Sequence, residues 1–121
     1  MIVSTYPDKK SLDKITNIVI KKRLAACVNY TKINSVYTWK GKVENTCEFL
    51  TLFKTTTKAK KLLKEEIART HPYEVPEIAE LKMDSINALY HNWLMDSTGK
   101  GKPKKRNNPS KRRHPQAYIS S

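Results

Sequence analysis

The chain has 121 residues, of which 38% are hydrophobic, and a net charge of +13. That length supports one domain with a real core, and no apolar run approaches the roughly 20 residues of a membrane-spanning helix. Cys27 and Cys47 are isolated rather than set in a CxxC, so they read as free thiols of a reducing, cytoplasmic compartment.

The charge is unevenly spread. Residues 97–121 hold Lys100, Lys102, Lys104, Lys105, Arg106, Lys111, Arg112 and Arg113 with no acid, a charge of +8, which leaves +5 for residues 1–96. Two regions are therefore expected: a folded domain over residues 1–96 and a basic, disordered tail over residues 97–121. The tail reads either as a solubilising extension or as an electrostatic arm for non-specific nucleic acid.

Along the domain, residues 1–5 are short and β-branched, a first strand closed by Tyr6-Pro7-Asp8. The opening reaches Pro7 before an apolar signal region forms, so no signal peptide is expected. Asp8 is positioned to cap a helix whose Leu12, Ile15 and Val19 recur at helical spacing, with Ile18 widening the stripe. A second strand opens over residues 24–30 and runs to Trp39. Lys40-Gly41 makes a two-residue turn, and residues 43–55 return with Phe49, Leu50, Leu52 and Phe53 apolar on both faces. Asn34-Ser35 interrupts the alternation and reads as a bulge.

Thr56-Thr57 opens a second helix carrying Ala59, Leu62, Leu63 and Ile67, which must end before Pro72. Residues 78–83 alternate as a further strand. Ser85 is expected to cap a last helix bearing Ile86, Leu89, Tyr90, Trp93 and Leu94. The order strand, helix, strand, strand, helix, strand, helix is an α+β, ferredoxin-like split βαβ arrangement with an extra C-terminal helix. Its hairpin is longer than so small a domain needs, and pairing with neighbouring subunits would cover the projecting edges.

The densest polar stretch is His71-Pro72-Tyr73-Glu74-Val75-Pro76-Glu77, stiffened by two prolines. His71 admits two roles, metal ligand or hydrogen-bond partner of Glu74 or Glu77. Cys27 is either a small buried hydrophobe or a soft-metal thiolate. Glu48 and Lys54 read as a charge pair near a cleft or as a solvated strand face. Trp39, at a hairpin tip, suits subunit packing, with Tyr37, Phe49 and Phe53 beside it. No phosphate loop, Ser-His-Asp set or HExxH spacing occurs, so no enzyme is expected.

Six ordered motifs carry a resemblance: Tyr6-Pro7-Asp8, Arg23-Leu24-Ala25-Ala26-Cys27-Val28-Asn29, Tyr37-x-Trp39-x-Gly41-Lys42, Glu48 with Lys54-Thr55-Thr56, the stretch from His71 to Glu77, and Tyr90-x-x-Trp93-Leu94. Over residues 1–96 the chain resembles the CutA divalent-cation tolerance family. The resemblance implies a homotrimer, a role in tolerance of copper or other divalent metal ions, and no defined enzymatic activity. It implies a metal set of His71, Cys27, Glu74 and Glu77, and a ligand cleft of Asn29, Glu48, Lys54, Tyr73 and Trp93. Some relatives bind copper through a first-strand cysteine and a His-His pair, where this chain has Ser4 and Thr70-His71. An alternative is a PII-like sensor that binds a small anion at the subunit cleft through Lys54 and His71.

Overall fold

The computed structural model describes residues 1–99; the tail cations from 100 onward lie outside the described residues. In chain order the elements are β1 (Ile2–Tyr6), α1 (Lys9–Lys21), β2 (Cys27–Trp39), β3 (Lys42–Lys54), α2 (Lys60–Thr70), β4 (Ala79–Glu80) and α3 (Ala88–Asp96). The strands form one antiparallel sheet in the order β2-β3-β1-β4. This is the expected ferredoxin-like split βαβ arrangement with a long hairpin and an added helix.

Register decides which side chains are buried. Ile2 faces Phe53, Ser4 faces Thr51 and Tyr6 faces Phe49 across β1 and β3. Side chains alternate along a strand, so these six share one face. Leu12, Ile15 and Val19 of α1 and Leu63 and Ile67 of α2 close over Ile2, Tyr6 and Phe53 to make the core. This corrects the assignment of Phe53 and Phe49 to a subunit interface. Phe53 is wholly enclosed, and Phe49 packs at the core's margin with its ring edge-on to Tyr30.

Local chemistry sets the helix ends. Asp8 accepts the Ser11 backbone N–H at 2.7 Å and opens α1. After α1, Arg23 takes the left-handed region at φ 59°. From there its guanidinium donates to the Asp96 carbonyl at 2.6 Å and the Gly99 carbonyl at 2.7 Å. Gly99 returns its N–H to Arg23 O at 2.9 Å, and the buried Thr98 hydroxyl meets that of Thr56 at 3.3 Å. Packed structure thus continues three residues past Asp96.

The hairpin register runs unbroken from Cys27 opposite Lys54 to Trp39 opposite Lys42, so there is no bulge at Asn34-Ser35. Asn34 instead sits squarely opposite Cys47, whose Sγ lies 3.2 Å from its Oδ1. The turn is type I′, because Lys40 and Gly41 both have positive φ, 49° and 79°. β1 leaves β3 at Phe49, so the last seven residues of each hairpin arm pair only with each other and project by roughly 20 Å.

Three further expectations shift. β4 keeps only Ala79 and Glu80 because its partner β1 begins at Ile2, although Leu81 N–H still reaches Met1 O at 2.8 Å. α3 starts after Asn87 rather than Ser85. Leu62 and Leu89 stay exposed, since α2 turns Leu63 and Ile67 inward and α3 buries only Leu94.

Candidate ligand cleft

α2 stops at Thr70 because Pro72 disfavours helix at the residue before it, and His71 is extended at φ −67° and ψ 136°. Its ring stacks on Tyr6 with centroids 4.3 Å apart. Nδ1 accepts the Tyr73 backbone N–H at 3.0 Å, which leaves Nε2–H to donate to the Thr5 carbonyl at 2.8 Å. Burial lowers the pKa of the ring, so it stands neutral at pH 7. Both nitrogens are committed to backbone groups, neither to Glu74 nor to Glu77.

Two residues on, the Tyr73 hydroxyl donates to Oε2 of Glu48. Burial, and then that bond, push the phenol well above its usual range, so Tyr73 is a fixed donor. Glu48 is only 7% exposed. Around the pair opens a cavity of about 400 Å³ between the hairpin and the proline-stiffened loop, lined by Thr5, Tyr37, Trp39, Glu48, Pro72, Tyr73, Glu74, Val75 and Glu77.

The residues singled out in the sequence divide between two places. Glu48, Tyr73, Glu74 and Glu77 line the cleft, with His71 behind it. Cys27, Asn29, Lys54 and Trp93 gather at the opposite end of the sheet. There Cys27 lies opposite Lys54, its Sγ stands 3.7 Å from Asn29 Oδ1, and burial pushes its thiol pKa up. Lys54 Nζ stands 5.5 Å from the Tyr90 ring, which in turn packs against Trp93. Glu48 and Lys54 are no charge pair: six strand residues separate them, roughly 20 Å. Tyr37 and Trp39 were read as subunit contacts, yet they form a wall of the cleft. An exposed tryptophan within reach of a rigid polar loop was the available signal.

A tight metal site needs three or four converging donors. Among the described residues, no three His, Cys, Asp or Glu side chains converge on one point. Ser4 is enclosed in the core, and the Thr70 hydroxyl donates to Glu66 O at 2.7 Å. The donors of a single chain therefore do not fit a tightly held metal.

A split βαβ domain with a projecting hairpin belongs among the ferredoxin-like folds that include PII-like proteins. The apo form of the PII-like protein CutA from Nostoc superposes with a TM-score of 0.65 at 30% identity, covering 69% of this chain and 79% of that one. CutA1 from Pyrococcus horikoshii superposes at 0.78 with 36% identity, covering 83% and 100%. The divalent-cation tolerance protein CutA of Thermotoga maritima is 39% identical over 97 residues, 80% of this chain and 96% of that protein. Residues 1–97 match the family described as CutA1 divalent ion tolerance protein, and the chain belongs to that family.

Proposed function

We propose that the protein serves tolerance of divalent metal ions as a nonenzymatic, cytoplasmic homotrimer that takes copper or another divalent cation weakly. Family membership over residues 1–97 carries the role. The assembly is supported by the sheet face that no helix covers, where Val3, Leu50 and Leu52 stand, and by the hairpin beyond it, where Val36 and Val43 are 67% and 75% exposed. Apolar groups and strand edges of that kind are stabilised by a neighbouring subunit. The weakness of metal binding follows from the scattered donors of each chain.

Light scattering should give three times the 14.0 kDa chain mass at micromolar concentration. Calorimetry should give micromolar or weaker copper binding. A monomer, or a nanomolar copper site, would overturn the corresponding part of the reading. The tail adds a separable reading, since its +8 charge can hold polyanions through counterion release. Removing residues 100–121 should abolish retention on DNA at 50 mM salt while leaving the subunit number unchanged.

A further inference from the structure

The cleft beside Tyr73 combines three features that a metal site does not require together. Its floor is a carboxylate, Glu48, more than nine-tenths buried. One of its oxygens takes the Tyr73 proton, and the other, Oε1, has no hydrogen-bond partner among the described residues. Its walls include the Tyr37 and Trp39 rings, and Glu74 and Glu77 stand at its rim. No basic side chain lines it. His71, behind it, is held neutral by its burial, with both nitrogens occupied.

Each class of ligand can be set against that lining. A small anion would meet three carboxylates and no cation, which disfavours the sensor reading built on Lys54 and His71. Lys54 lies at the other end of the sheet under Tyr90. A hard divalent ion needs about six oxygens at 2.0–2.6 Å, and ring faces supply none. A neutral apolar ligand would leave the inner Glu48 oxygen desolvated and unpaired, a cost of order 1–3 kcal/mol or more. An ammonium group uses both elements, donating N–H bonds to the carboxylate while ring faces attract its charge. Trp39 already shows this affinity, because Lys40 Nζ stands 5.7 Å from its ring centroid. The cavity, about 400 Å³, lies within the range of small-molecule sites.

We propose that the cleft binds a small organic ammonium ion, its charged head on Glu48 and its apolar body against Tyr37 and Trp39. The tolerance role is independent of this site, and metal titration and subunit number report on that role separately.

The test titrates full-length protein with 2-phenylethylammonium chloride and, in parallel, with 2-phenylethanol, phenylacetate and magnesium chloride. Binding is read by amide and indole N–H shifts and by calorimetry. The ammonium ion should bind at least tenfold tighter than the isosteric alcohol and shift the Trp39 indole but not that of Trp93. Phenylacetate and magnesium should leave these signals in place. Glu48→Gln should bring the ammonium ion down to the affinity of the alcohol. Equal binding of ammonium and alcohol by the unmodified protein would overturn the proposal, and this comparison stands even if the Gln variant does not fold. A folded Glu48→Gln protein that keeps the tenfold preference would overturn it as well, as would magnesium displacing the ammonium ion.

Discussion

The two faces of the sheet are built from the same strands and do different work. On one face Phe49, Thr51 and Phe53 stand beside Ile2, Ser4 and Tyr6 under two helices. On the other, Glu48, Leu50, Leu52 and Lys54 alternate with them along β3 and meet no helix layer. The closed face holds the single chain together. The open face leaves apolar area and a buried carboxylate for neighbours and ligands. One strand thus serves both purposes, because alternation sends each successive residue to the opposite side.

The comparison is broken most severely from the closed side. Phe53→Ala removes a wholly enclosed ring at the centre of the core and should cost about 3–5 kcal/mol. Urea denaturation should show a lower midpoint with an unchanged slope. A loss under 1 kcal/mol would mean that the helices do not depend on that ring.

Leu50→Lys sets a charge on the open face, one residue from Phe49 and opposite Thr5 and Thr31. The fold of the single chain should survive, since that face is not its core, but the trimer should dissociate. Sedimentation at micromolar concentration should report particles near the 14.0 kDa chain mass, with the far-ultraviolet spectrum retained. A trimer of unchanged mass would show that the open face is not the interface.

Much of this division was legible in the sequence, and its limits are physical. Leu12, Ile15 and Val19 at helical spacing, Asp8 as a cap and Lys40-Gly41 as a turn declared themselves by local chemistry, and each stands as expected. Phe49 and Phe53 did not. β3 is apolar at 49, 50, 52 and 53, so alternation alone could not say which parity faces the helices; the pairing with β1 decides that. The metal and cleft sets failed to gather for a related reason. Glu48 and Lys54 are close in sequence, but an extended strand carries them to opposite ends of the sheet. The cleft itself joins residues 5, 37–39, 48 and 72–77, a meeting that only the register and the stiff loop create.

A smaller effect tests the margin of the closed face, where Arg23 ties the end of α1 to residues 96–99. Arg23→Ala loses two hydrogen bonds from a charged donor but keeps a side chain in the left-handed region. The expected cost is about 1–2 kcal/mol, below the value for buried charged bonds because the guanidinium is partly exposed. Arg23→Gly loses the same bonds yet relieves the backbone, so it should be about 1 kcal/mol less destabilising than the Ala variant. Equal melting temperatures for the two variants would show that the positive φ is not retained without the guanidinium.

The smallest effect lies where the two faces meet, at His71, whose ring stacks on core-facing Tyr6 and holds the loop that walls the cleft. Burial lowers its pKa in the folded state below the ordinary value of about 6.5. Between the lowered and the ordinary value, the unfolded chain carries a proton that the folded chain lacks, so stability rises with pH across that window. The contribution is complete above about pH 6.5 and is lost as pH falls through the folded value. Protonation would also remove the Nδ1 lone pair that accepts the Tyr73 N–H, loosening the loop at the cleft. His71→Gln keeps an amide donor and an acceptor without titrating in this range. Urea midpoints measured from pH 5 to pH 8 should therefore fall more steeply toward acid in the unmodified protein than in the Gln variant. Parallel profiles for the two proteins would show that His71 is not the group through which acid loosens the loop.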